Sequence, residues 1–137
     1  HQCPHCLYRS EEKGTLLPHE EVCPHCGAHT IPAGPLWMGR LSDKAVLSQM
    51  AEVLPSMRFG TSRKMEKFLS ILQNEPETCF FYEYHAICKS LKVSPPSMED
   101  FLAALHDAGF TAERTHFSGT GVKTTAPLEV IEKILDR

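Results

Sequence analysis

Ser97-Met98-Glu99-Asp100-Phe101-Leu102-Ala103-Ala104-Leu105-His106-Asp107-Ala108-Gly109 is the stretch on which the fold turns. Met98, Phe101, Leu102, Leu105 and Ala108 recur at the i, i+3, i+4 spacing of one apolar helix face. Ser97 stands where a helix N-cap is wanted. Glu99 and Asp100 put negative charge in the positive first turn, and Gly109 follows the helix end. Downstream, residues 110–117 read as a strand, 118–121 as a turn and 122–125 as a returning strand. Pro127 then opens a last helix with Leu128, Ile131, Ile134 and Leu135 inward. Upstream, Val93-Ser94-Pro95-Pro96 breaks the chain, and residues 82–91 carry Tyr84, Ile87, Cys88 and Leu91 as a helical stripe. Cys79-Phe80-Phe81 reads as a short strand. That order predicts a winged-helix-like α+β domain, with 98–108 in the recognition position and 118–121 as the wing tip.

Two more helices precede this unit. Residues 43–54 carry Val46, Leu47, Met50, Ala51 and Leu54 on one face, with Ser42 as cap, Leu41 and Val46 as a hydrophobic staple, and Pro55 as the stop. Ser62–Asn74 carries Met65, Phe68, Leu69 and Leu72 and ends before Pro76. Ile31-Pro32-Ala33-Gly34-Pro35 reads as a linker, which divides the chain into residues 1–34 and 35–137. Trp37, just after it, is expected in the core, pinning the two parts together.

The first part is a different kind of sequence. Four of the six cysteines lie in it as two matching knuckles, Cys3-Pro4-His5-Cys6 and Cys23-Pro24-His25-Cys26, with strand-like pieces at 7–9, 15–17 and 29–31. Two residues between thiolates let one tight turn aim both sulfurs at one ion, and two such turns complete a tetrahedron. The spacing is that of a four-cysteine metal site, so Cys3, Cys6, Cys23 and Cys26 are the expected ligands of a zinc ribbon. Tetrahedral sulfur also suits iron, and two disulfides are the competing pairing. Zinc is expected, in a closed and therefore structural site. His5 and His25 inside the knuckles, and His1, His19 and His29 nearby, read as solvated loop histidines. Cys79 and Cys88 read as buried apolar thiols.

Composition narrows the function. The chain has 137 residues, 42% hydrophobic and 23% charged, with a net charge of −3, so no overall basic field announces nucleic acid. No apolar run approaches a membrane span and no signal peptide precedes the cysteines, which points to the cytoplasm, or the nucleus in a eukaryote. The first residue is His1 rather than Met, so the chain is expected to begin inside a longer polypeptide, or its start to be missing. The stretch 97–109 holds Glu99, Asp100 and Asp107 but no Lys or Arg, so direct base readout by that helix is not expected. Positive charge sits instead on the hairpin, at Arg114, His116 and Lys123, and in a second group of Arg58, Arg63, Lys64 and Lys67. Gly119-Thr120-Gly121 is a hairpin turn rather than a dinucleotide loop, and no P-loop, nucleophile triad or carboxylate pair is present. On residues alone the chain reads as a non-catalytic zinc-ribbon and winged-helix module for protein or nucleic-acid interaction.

Three stretches together carry a resemblance: Cys23-Pro24-His25-Cys26-Gly27 with Gly34-Pro35-Leu36-Trp37-Met38-Gly39; Phe81-Tyr82-Glu83-Tyr84-His85 running on to Ser94-Pro95-Pro96-Ser97; and Arg114-Thr115-His116-Phe117 with Gly121-Val122-Lys123-Thr124-Thr125-Ala126-Pro127. The succession resembles the C-terminal part of the tRNA (guanine-26 N2) dimethyltransferase family, over essentially the whole chain. The resemblance implies an S-adenosylmethionine (SAM)-dependent enzyme that methylates the exocyclic amine of one tRNA guanosine. It places the methyl donor and acidic motif in an N-terminal Rossmann-like domain. This chain holds neither a Gly-rich cofactor loop nor an Asp-Pro-aromatic motif, so it is not expected to bind SAM or transfer methyl alone. Its implied role is tRNA engagement and packing against the catalytic domain. Arg114, Thr115, His116, Lys123 and Thr124 are the implied RNA contacts, with Arg63, Lys64 and Lys67 as a second cationic group and, as the alternative to its place in the core, Trp37 stacking on a base.

Overall fold

The computed structural model describes residues 1–12, 14 and 22–136. Two of its helices begin on a side chain that caps them. In α1 (Lys44–Val53), the Asp43 carboxylate accepts from the N–H groups of Ala45 and Val46 at 2.9 and 3.2 Å. The expected cap, Ser42, is one residue too early: Asp43 offers a charged acceptor to the same orphan donors. Pro55 turns the chain through a single 3-10 turn, Leu54–Ser56, before α2 (Ser62–Asn74), whose bounds are those of its apolar pattern. Lys44 Nζ donates to the carbonyls of Leu72, Gln73 and Glu75 at 2.7–3.0 Å, so a cation in the first turn of α1 caps the C-terminal end of α2.

The strand expected at 79–81 falls later, as β1 (Tyr82–Glu83), and α3 (Tyr84–Leu91) starts with its apolar stripe, two residues after the expected start at 82. Tyr82 and Glu83 pair with Val122 and Gly121, so a long-range ladder takes them from the helix. α3 closes on Lys92 at φ 60°, and the Val93 N–H reaches back to the Cys88 carbonyl at 3.0 Å. α4 (Met98–Asp107) begins at Ser97, whose hydroxyl oxygen accepts from the Asp100 N–H at 3.1 Å while its proton goes to the Asp100 carboxylate at 2.7 Å.

β2 (Ala112–Arg114), β3 (Gly121–Thr124) and α5 (Leu128–Leu135), the last capped by Pro127, complete the chain. The sheet order is β1-β3-β2, antiparallel throughout, with Ala112 opposite Thr124, Glu113 opposite Lys123 and Arg114 opposite Val122. The strand expected over 110–117 keeps regular pairing only in its middle; beyond it, Thr115 N–H still donates to the Gly121 carbonyl at 3.1 Å. A side chain at Gly121 would start 2.5 Å from the Thr115 methyl and 2.9 Å from the Phe81 ring, so only glycine fits there.

Ile87, Phe101, Leu105, Val122 and Ile131 are wholly buried between the sheet and α3, α4 and α5. Each contributes on the order of 1.5–3 kcal/mol by leaving water. A separate small cluster, Leu47, Leu54 and Leu69, joins α1 to α2. At the N-terminal end, Leu7 and Tyr8 pack on the main core. The Arg9 guanidinium donates to the Phe81 carbonyl and lies 5.7 and 5.3 Å from the Phe80 and Tyr82 rings. Trp37, expected inside, is 73% exposed. Its Nε1 bonds the Arg40 carbonyl at 3.1 Å and its ring lies across Gly39, so the local turn folds it back on its own segment. The pieces expected at 7–9 and 29–31 form isolated bridges, Gln2 to Arg9, Gln2 to Ile31 and Val22 to His29. The piece at 15–17 and His19 lie outside the described residues. Cys88 is buried as expected, whereas Cys79 is half-buried with its thiol 3.1 Å from the Met38 carbonyl. Among the described residues no helix is long and apolar enough to cross a membrane.

Candidate functional site

The two knuckles fold alike because each repeats one backbone pattern. Cys3 N–H donates to the Tyr8 carbonyl at 2.8 Å and Leu7 N–H to the Cys3 carbonyl at 3.0 Å; Cys23 N–H donates to the Ala28 carbonyl at 2.7 Å and Gly27 N–H to the Cys23 carbonyl at 2.9 Å. The fifth position of each turn needs positive φ. Gly27 supplies it at 74°, while Leu7 adopts 66° in the other knuckle against the usual preference of a side chain. The sulfurs of Cys3, Cys6, Cys23 and Cys26 all lie within 4.8 Å of one another. The Cys3–Cys26 and Cys6–Cys23 separations are 3.5 and 3.7 Å. Four thiolates about 2.3 Å from one zinc ion stand about 3.8 Å apart, and a disulfide needs about 2.05 Å, so the arrangement fits the metal and not the bond. Burial pushes the Cys3 thiol up, yet the Cys6 and His5 backbone N–H groups and the Cys26 and Cys6 thiols outweigh it and bring its pKa down to about 6.

His25 is more than a solvated loop residue. Its ring stacks on Tyr8 at 6.2 Å and its Nε2 lies 3.2 Å from the Glu132 carboxylate on α5, which ties the second knuckle to the C-terminal helix. His5 points to solvent as expected.

The hairpin residues divide into two groups. Arg114 is exposed and pairs with Glu99 of α4. His116 is partly exposed, with the Phe68 ring edge-on at 5.5 Å. By contrast Thr115, Lys123 and Thr124 are buried. Lys123 Nζ lies 3.0 Å from Glu75 Oε2, His116 Nδ1 lies 2.7 Å from Glu75 Oε1, and the His116 N–H donates to that same oxygen. Thr124 Oγ1 accepts from the Ala126 N–H at 3.0 Å and so shapes the entry to α5. Burial pushes the Glu75 carboxyl up, but the His116 N–H and ring, the Lys123 ammonium and the Thr115 hydroxyl hold it below the usual carboxylate range. Arg63, Lys64 and Lys67 are all exposed on α2, which packs against β2.

Glu75 is marked by nothing in the sequence, and Glu99, read there as an acid of the α4 start, gives no sign of its pairing with Arg114. Glu75 is 41 residues from His116. No local pattern marks it, because the C-cap of one helix meets a distant hairpin only through the tertiary fold.

Four convergent thiols beside a small antiparallel sheet, with a hairpin fixed by a buried ion pair, define a cysteine-knuckle α+β chain. The chain belongs to the N2,N2-dimethylguanosine tRNA methyltransferase family, whose family model matches residues 1–136. The tRNA (guanine(26)-N(2))-dimethyltransferase of Methanocorpusculum labreanum is 55% identical over 132 residues, which cover 96% of this chain and 35% of that protein. Its counterpart in Methanoculleus marisnigri is 46% identical, over 98% of this chain and 36% of its own length. The structure of Trm1 from Pyrococcus horikoshii with S-adenosyl-L-methionine matches with a TM-score of 0.83 at 31% identity, covering 99% of this chain and 34% of that one. The chain thus spans about a third of the length of the relatives it matches.

Proposed function

We propose that this chain is the tRNA-engaging, structural part of a SAM-dependent tRNA guanine-26 N2-(di)methyltransferase, acting in the cytoplasm. The carrying observation is the family match over residues 1–136 combined with coverage of only a third of the relatives' length. SAM would supply the methyl group, held in the part of the relatives that this chain does not match. No Gly-rich loop here would hold it.

Within that reading, residues 1–34 are a zinc ribbon, with zinc on Cys3, Cys6, Cys23 and Cys26, and residues 35–137 a winged-helix-like domain. The sulfur spacing supports the first and the α3, α4, hairpin order the second. The tRNA backbone is met by Arg114 on the hairpin and by Arg63 and Lys67 on α2, which reach the surface; of the other candidates, His116 is held by Glu75 and Lys64 lies beside a hollow between α1 and α2. Lys123, Thr115 and Thr124 hold the hairpin in shape from beneath. The test is a tRNA gel shift with this chain. Arg114→Ala combined with Arg63→Ala and Lys67→Ala is expected to weaken binding at least tenfold. Equal affinity in the variant would overturn the assignment of the contacts. No tRNA affinity at all, with a protein partner captured instead, would favour a protein-interaction module.

A further inference from the structure

An apolar hollow of about 940 Å3 opens between α1, α2 and the end of the hairpin. Leu41, Val46, Met50, Phe68 and Phe117 line it, and each is between 47% and 56% exposed. The α1–α2 pair buries only Leu47, Leu54 and Leu69 against itself, so it presents two apolar faces and covers one. Phe117 stacks on Phe81 at 5.5 Å and lines a second hollow with Leu36, which extends the uncovered surface along the linker. A continuous exposed apolar surface of this kind marks an interface.

We infer that this face is the docking surface for the remaining two thirds of the enzyme, the SAM-binding part, which is absent from this chain. The inference rests on the function proposed above and names the surface by which the two parts meet. The matched relatives carry about two thirds of their length outside the segment covered here, so a large body of the same polypeptide has to be seated somewhere. Charge directs it to this face. The lining offers apolar carbon with only Lys64, Asp43, Glu75 and His116 as ionisable groups, and Glu75 is already paired. An RNA backbone would require more cations than that. On α2, Arg63 and Lys67 sit about 100–140° around the helix from Ser62 and Phe68 about 240°, so these two cations and the apolar wall occupy different sides, while Lys64 at about 200° falls on the side of the hollow. One helix then serves two partners, protein on the Phe68 side and tRNA on the Arg63 and Lys67 side.

The test is a full-length chimera in which this chain replaces its counterpart in the Methanocorpusculum labreanum enzyme, compared with this chain alone by amide hydrogen exchange. Exchange in α1 and α2 is expected to be about tenfold slower in the chimera. Val46→Glu with Met50→Lys removes two exposed apolar groups and adds a favourable i, i+4 pair. This double variant should leave the melting temperature of the isolated chain unchanged and abolish the added protection in the chimera. Equal exchange in chimera and isolated chain would overturn the inference. So would dimerisation of the isolated chain that the double variant abolishes, or protection of the face by tRNA instead. Loss of tRNA binding with α1–α2 protection retained would sink the RNA reading and support the docking surface.

Discussion

Lys123 Nζ lies 3.0 Å from Glu75 Oε2, and the two side chains keep only 2% and 5% of their surface in solvent. A charge pair so withdrawn from water depends on both members, because either one alone is a buried charge without compensation. Glu75→Ala is expected to cost about 3–5 kcal/mol in urea unfolding. Replacing both, as Glu75→Leu with Lys123→Met, should recover most of that loss. A single variant within about 1 kcal/mol of the parent would show that the pair does not hold the hairpin to α2.

The same carboxylate makes the fold sensitive to acid. Its folded pKa is held below the ordinary 4.5, because the groups donating to it outweigh the cost of burial. A depressed acid stabilises the fold above its ordinary value, and that contribution disappears as pH falls through the lowered folded value. The melting temperature should therefore fall on acidification below about 4.5, more steeply in the parent than in Glu75→Gln. Parallel curves for the two proteins would remove Glu75 as the source.

Local elements were legible where local chemistry decides them. Ser62–Asn74 came out as its apolar stripe reads, and Ser97 and Gly109 bound α4 as their types dictate. What escaped was set by distant partners. Tyr82 and Glu83 have a helical neighbourhood in sequence, but pairing with β3 makes them a strand. Lys92 closes α3 at positive φ without the glycine that would advertise it. The cysteine cluster was legible because ligand chemistry repeats at fixed spacing. Hairpin charge misled because Lys123 reads as cationic surface, while its use depends on an acid 48 residues away.

The exposed cations should act on tRNA through counterion release. Arg114→Ala, Arg63→Ala and Lys67→Ala should each lower the slope of log affinity against log salt by about one, with similar losses for unrelated tRNA sequences. Arg114 first has to leave Glu99, so Glu99→Gln is expected to strengthen binding slightly. A salt slope unchanged by all three would mean that none of them meets a phosphate.

The proposed zinc should hold the knuckles in shape, and its removal should cost them that shape. Almost no apolar core holds residues 1–12 and 22–31 apart from the cysteines themselves, with Tyr8 and Ala28 against them. Metal binding there is folding energy, so one zinc per chain is expected, released by a chromogenic chelator together with loss of protection at Cys3, Cys6, Cys23 and Cys26. The remainder should survive, because Ile87, Phe101, Leu105 and Ile131 form a core that contains no ligand. Cys23→Ser should therefore abolish zinc binding and raise exchange in the knuckles while leaving α3, α4 and α5 protected. Leu7, Tyr8 and the His25–Glu132 pair tie the knuckles to that core, so a drop of several degrees in its melting temperature is expected as well. Absence of metal with two disulfides would contradict the 3.5 and 3.7 Å sulfur separations and refute the site.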